Sequence, residues 1–421
     1  MEVGEERTRR AVAWIGAAAL GTLVAGVVYL RPSLAPPTTA SPAASARVAV
    51  PASRWSLVSA SFADADHGTA QFYSSGQAPT TTFLTSDGGK SWQVAARAPR
   101  DGYAQADFID TRTVLAQTVT NIAAGGPTNT RVSADGGRTW RQLADPRLSG
   151  GLGLPGFLDS EHAWWIDRPS PPNPPTLVAL WRTTDGGRSW HELVASGLTA
   201  SGFPSQPVFT DPLHGVLVFT SADRSASALA TYDGGETWRT VRTFEVPQGT
   251  RVLSWVVLSR GHRLLSWLLT VPDTMLTAGG GLLSPPGSSI DYMPFVSVSD
   301  DGGQTWSLPR AGPNVVQSGY VVGLYPRVDD RGRLLLVDDR RLWISDDGRT
   351  TWAARLMQAP AELRPAMVVS AVPGALFAMA ARTGPAGTVT LGTPLTLIRS
   401  TDDGAHWSAV NLPRSPAPAG A

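Results

Sequence analysis

An eight-residue signature, Ser/Thr-x-Asp-x-Gly-x-x-Trp, recurs seven times along this 421-residue chain and limits its fold more than any other feature. The copies run Thr85–Trp92, Ser133–Trp140, Thr183–Trp190, Thr231–Trp238, Ser299–Trp306, Ser345–Trp352 and Ser400–Trp407. All keep the hydroxyl residue, the tryptophan and an aspartate: Asp87, Asp135, Asp185, Asp233, Asp301, Asp347 and Asp402. The sixth copy carries Arg349 where glycine is expected, beside Gly348. At this composition a tryptophan meets both offsets by chance about once in 170 cases, whereas six of the fifteen do.

Turn chemistry explains the residue types. Aspartate accepts backbone N–H bonds within a tight loop, glycine supplies positive φ, and the hydroxyl ties the loop's ends. The tryptophan then begins the next strand and buries its ring. Successive tryptophans lie 48, 50, 48, 68, 46 and 55 residues apart, room for the four short strands of a propeller blade. A second turn precedes the boxes, clearest in Phe62-Ala-Asp64-Ala-Asp-His67-Gly68, Phe157-Leu-Asp159-Ser-Glu-His162 and Phe209-Thr-Asp211-Pro-Leu-His214-Gly215. Blade one is thus expected as strands 57–63, 69–74, 80–85 and 92–96. The predicted fold is all-β: a seven-bladed propeller with four-stranded antiparallel blades over residues 54–413.

With its box Thr85–Trp92 and its upstream turn Phe62–Gly68, the chain resembles the bacterial-neuraminidase-repeat (Asp-box) propellers, most closely the photosystem II stability/assembly factor-like family. That resemblance covers roughly residues 54–413. It implies a binding or assembly module. Sialidases, xyloglucanases and sortilin-like receptors share the box, so the box alone does not separate enzyme from scaffold.

Strands alternate direction, so the first turn and the box of each blade share one face. The other face carries the irregular segments, about 168–175, 272–294 and 382–394, and recognition is usually placed on such variable loops. Arg100, Arg147, Arg168, Arg251, Arg310 and Arg364 fall there, with acidic neighbours such as Glu245 and Glu362. They are the candidate partner-binding residues, suited to an acidic or carboxylate-rich protein. Ordinary solvated charge is the competing reading.

Residues 11–30 carry no charge and, as a helix, would cross a bilayer core, with Arg7, Arg9 and Arg10 on the cytoplasmic side. A cleaved signal would have its small-x-small site close behind the apolar run, but Ala44-Ser45-Ala46 lies well beyond it. The expected organisation is a cytoplasmic N-terminus (1–10), a transmembrane anchor (11–30), a Pro/Ala/Ser/Thr-rich stalk (31–53), the propeller, and a tail (414–421). The propeller would then lie outside the cytoplasm of a single-pass membrane protein. A formal charge of +1 gives no footing for nucleic acid. The absence of cysteine removes disulfides and thiolate chemistry.

Catalysis finds little support. The box aspartates are spread one per blade, each with its own turn to hold. His67, His162 and His214 recur at one turn position, where a metal site needs convergence; no metal or cofactor is expected. A sialidase needs convergent arginines, a tyrosine nucleophile and an acid; Tyr103 and Tyr292 are available, but nothing pairs them with a base. Trp164-Trp165 could form a glycan platform, although alternation buries at least one ring. The expectation is a non-catalytic module holding a protein partner or aiding assembly of a membrane complex; the alternative is an exported sialidase-like hydrolase or glycan-binding propeller. Ring closure by pairing of residues 47–50 with blade seven is a further expectation.

Overall fold

The computed structural model describes residues 55–413, apart from 75–79, 98–102, 120–127, 145–154, 168–178, 199–202, 206, 221–224, 246, 261, 276–288, 314, 319–325, 339, 349–350 and 384–394. The proposed anchor, the stalk and the 47–50 segment lie outside the described residues. Among the described residues, no helix is long and apolar enough to cross a membrane.

The strands form seven antiparallel sheets, each built from one continuous stretch of chain. Blade one comprises Trp55–Phe62, His67–Ser74, Thr81–Ser86 and Gln93–Arg97, within two residues of the sequence reading. The first strands of the other blades end at Phe108, Phe157, Phe209, Arg260, Val328 and Val372. In blade one the outermost strand starts just after the box tryptophan rather than on it, as Gln93 follows Trp92. Blades four and five carry an extra short segment. In blade five the second and third strands reach 10 and 11 residues (Arg263–Pro272 and Ser289–Ser299), and Val315–Ser318 extends the outer edge.

Both faces of a blade are covered, so its central strands bury most positions; these are mainly apolar in blades four, six and seven, while blade one also buries Thr69, Gln71, Thr81 and Thr82. In Gly215–Thr220, Leu217 and Phe219 pack on blade three while Val216 and Val218 pack on blade five. Leu334 and Leu336 face blade five, Leu335 and Val337 blade seven. The buried apolar side chains fall into seven clusters, one per seam, and the last joins blades seven and one. The ring therefore closes. Phe62 stacks on Phe377 at 3.6 Å across that seam, Trp92 Nε1 donates to the Asn411 carbonyl at 2.7 Å, and Val410 and Leu412 pack alongside. Blade seven takes all four strands from residues 363–409, so no exchanged strand is present among the described residues.

Trp164 and Trp165 are both buried. Trp164 stacks on Phe209 of blade four at 3.5 Å and donates to the Gly234 carbonyl. They are core residues, not a platform.

Candidate functional site

The box face is built from saturated turns. In the first box Thr85 Oγ1 donates to Asp87 Oδ1 and accepts from the Gly89 amide, while Ser91 gives Asp87 both its amide and its hydroxyl. Boxes two, three, four and five repeat this scheme through Asp135, Asp185, Asp233 and Asp301, and in box seven His406 brings its amide and its ring Nδ1 to Asp402 in place of a hydroxyl. The Ser91 hydroxyl and amide hold the Asp87 carboxyl down at about 2; Thr139 lowers Asp135 in the same way. Carboxylates so stabilised are poor proton donors at neutral pH.

In the sixth box Gly348 donates to Ser345 Oγ, and a Cβ on it would crowd Leu265 of blade five. Elsewhere the second box glycine meets the preceding blade: Gly137 meets Leu84, Gly187 meets Leu143 and Gly89 meets Val410. One glycine thus serves where Arg349 replaces the second. In the seventh box Asp403 takes the first glycine's place at a φ of 61°, its carboxylate gripped by Arg333 of blade six.

Arginines also latch several boxes to the blade before them. Arg141 Nη2 donates to the Gly186 carbonyl at 2.6 Å, Arg263 Nη2 to Asp347 O at 2.7 Å, and Arg355 Nη1 to Asp403 O at 2.5 Å. The upstream turns behave alike: His67, His162 and His214 each place Nδ1 within 3.0 Å of their own Asp64, Asp159 and Asp211. The Gly88 amide ties turn to box through Asp66 O. The first turn and the box do share a face, and both are structural. Among the described residues no three metal-ligating side chains converge.

Of the six arginines singled out from sequence, three are described, and they lie on blades five and seven. Arg100, Arg147 and Arg168 lie outside the described residues. Arg251 and Arg364 open the inner strands of blades five and seven, at the end away from the boxes, with blade six between them. Arg310 sits exposed on the outer strand of blade five. Tyr292 is fully buried in the seam between blades five and six, out of reach of a substrate.

Strand register reveals a set of residues that the sequence pattern hid. In each blade one second-strand residue pairs both with the box hydroxyl residue and with an inner-strand residue, as Gly68 does with Thr85 and Phe62. The matching inner positions are Phe108, Phe157, Phe209, Ser259, Val328 and Ala371. The residues immediately before these form one layer around the channel that inner strands enclose in a propeller. On blades six, seven, one and two that layer is polar: Arg327, Ser370, Ser61 and Asp107. On blades three, four and five it is Gly156, Val208 and Leu258. All but Ser370 keep partial exposure to solvent.

Among the described carboxylates with a shifted pKa, Asp107 is the one pushed upward. Its depth within the ring pushes it up to about 7, against the pull of a hydrogen bond with Ser61 and the positive charge of Arg327. The residue as a whole keeps partial exposure to solvent while its carboxyl lies deep in the ring. Arg327 is fixed by donating Nε to the Val369 carbonyl of blade seven at 2.9 Å and Nη1 to Pro326 O at 3.3 Å.

A model of the BNR/Asp-box repeat matches residues 297–308, around the fifth box. No curated protein matches the chain. Solved structures similar to it include YCF48 bound to D1 peptide, 17% identical over 78% of this chain and 91% of that one, TM-score 0.38. YCF48 from Cyanidioschyzon merolae is 17% identical over 80% and 95%, TM-score 0.37. The GH74 enzyme of Niastella koreensis is 14% identical over 84% and 59%, TM-score 0.38. With TM-scores below 0.5, none of these likenesses bears on function.

Proposed function

We propose that the chain is a membrane-anchored, extracytoplasmic propeller that holds a protein partner, and so aids assembly of a membrane complex, without catalysing a reaction. The observation that carries this reading is the contrast between the two faces. Every described box carboxylate, and every histidine of the upstream Asp–His turns, is spent on its own turn, whereas the opposite end bears the lengthened blade five and the arginines at strand starts. A rigid frame with one elaborated end suits recognition. The uncharged run 11–30 behind Arg7, Arg9 and Arg10 supplies the tether. The proposal rests on this chain's own residues.

The test is capture of a partner from detergent-solubilised membranes by the full chain and by a variant carrying Arg100→Glu with Arg364→Glu. Capture by the variant should fall about tenfold, the effect of losing roughly 1.4 kcal/mol, with an unchanged melting temperature. Undiminished capture would remove the arginine face from the proposal. Specific turnover of a fluorogenic sialoside would replace the binding role by the hydrolase alternative.

A further inference from the structure

The ring is electrically polar, and its chain enters at one pole. The first turns and the boxes hold nineteen of the chain's 34 acidic residues and, with Arg260 and Arg263 of the blade-five hairpin included, nine of its 35 basic ones. The box hydrogen bonds keep aspartates such as Asp87 and Asp135 ionised, so the box end stays anionic at neutral pH. Most arginines lie elsewhere, and a group of them marks the opposite end of blades six, seven and one. Arg340 and Arg341 follow the second strand of blade six, and Arg382 closes the second strand of blade seven beside Leu363. Arg97 pairs with Thr81, which opens the third strand of blade one. Arg340 reaches blade seven by donating Nη2 to the Ala361 and Leu363 carbonyls at 3.0 Å. Arg97, Arg341 and Arg382 are exposed, and among the described residues no carboxylate pairs with them. The acids of this end on the same blades are Asp338, which is buried, Glu362 and, by sequence, Asp339 and Asp101, the last beside Arg100. Trp55 opens the inner strand of blade one at this end, and Leu57 packs with Leu395, the register partner of Ala381.

We infer that this end docks on the anionic phospholipid headgroups of the bilayer that holds the tether, with the boxes turned away from it. Such docking presupposes the tether of the function proposed above and concerns how the ring sits, not which protein it holds. Two features of the molecule select lipid. Chain continuity brings the exposed arginines to the bilayer side, because the chain before Trp55 joins the ring at their end. Charge complementarity then orients the ring, since turning it over would set the acidic boxes against headgroups of like charge. Leu356, 67% exposed and paired in register with Arg341, adds apolar surface beside the charge. A Pro/Ala/Ser/Thr-rich stretch as long as 31–53 can span from about 25 to about 70 Å, well beyond the ~10 Å reach of charge in 0.1 M salt. The tether therefore permits the docked pose without imposing it, and lipid charge decides.

Because the chain has no cysteine, single fluorescent labels can be placed at Ala361→Cys, on the docking end, and at Lys90→Cys, on the first box. The full chain is reconstituted into vesicles of phosphatidylcholine with or without phosphatidylglycerol, and energy transfer to headgroup-labelled lipid is measured. Transfer from position 361 should rise with phosphatidylglycerol, exceed that from position 90, and fall back in molar salt. Each arginine at an anionic surface favours docking by about fivefold. Arg341→Gln with Arg382→Gln should therefore lower the docked-to-undocked ratio about 25-fold. Equal transfer with and without phosphatidylglycerol overturns the proposal. So does a closer approach of position 90, or an undiminished response in a double variant that melts cooperatively. Flotation with phosphatidylcholine vesicles in molar salt reads the tether alone. A chain that fails to float there, yet keeps the lipid-charge response at position 361, loses the anchor and keeps the docking. Capture of a protein partner is tested through Arg100 and Arg364, which these variants leave intact.

Discussion

Trp238 and Trp407 keep 5% of their surface exposed, whereas Trp92 and Trp140 stay partly exposed, Trp140 beneath the Arg131 guanidinium at 5.3 Å. The sequence surrounds all of them with the same box, so their burial is set by what the adjoining blade presents. Blade three offers Leu180, Leu198 and Trp164 to the Trp238 seam, while small alanines dominate the seam at Trp140. Trp238→Ala should therefore cost about 3–5 kcal/mol, and Trp140→Ala roughly half of that. Asp135→Ala, which removes the acceptor of its turn, should cost about 1 kcal/mol by analogy with a helix cap. Urea unfolding of the three variants measures this; equal costs for the two tryptophans would contradict the ordering by burial.

The box as an element is more than a tight corner, because its second glycine is where one blade rests on the previous one. Gly137 has a φ of 88° and no room for a Cβ against Leu84. Gly137→Ala combines left-handed strain with a clash into the neighbouring seam and should cost about 2–4 kcal/mol. By contrast, Gly136→Ala meets open space and carries only the strain of its φ of 72°, about 1–2 kcal/mol. Comparing the two melts separates the latch from the turn, and similar losses would show that contact with Leu84 is immaterial. The boxes, the upstream turns and the strand order were legible because their residues lie within eight positions of one another. Asp107 and Arg327 were not, since 220 positions of sequence separate them and only register aligns them. Nor could spacing have shown that Gly348 alone serves the sixth box, or that Asp403 accepts a left-handed φ because Arg333 holds it.

At the scale of the whole ring, Asp107 links stability to pH. Its folded pKa lies above that of an unfolded aspartate, so the folded state binds the proton more tightly. Its contribution to stability is complete below the unfolded value and is lost as pH rises through about 7. Asp107→Asn cannot ionise, so its melting temperature relative to the natural chain should rise between about pH 5 and about pH 8. A constant difference across that range would mean that the carboxyl titrates as it would in water.

Among the described residues blade seven takes its four strands from its own stretch of chain, as every other blade does. Val410, Leu412 and the Asn411 carbonyl meet the first box much as Leu84 meets the second. The seam between blades seven and one is, among the described residues, packed like the seams between the other sheets. Joining the two ends by a linker and cutting instead between blades three and four would leave every sheet whole. Such a rearranged gene should encode the same ring of described sheets, its ends now lying at a different wedge.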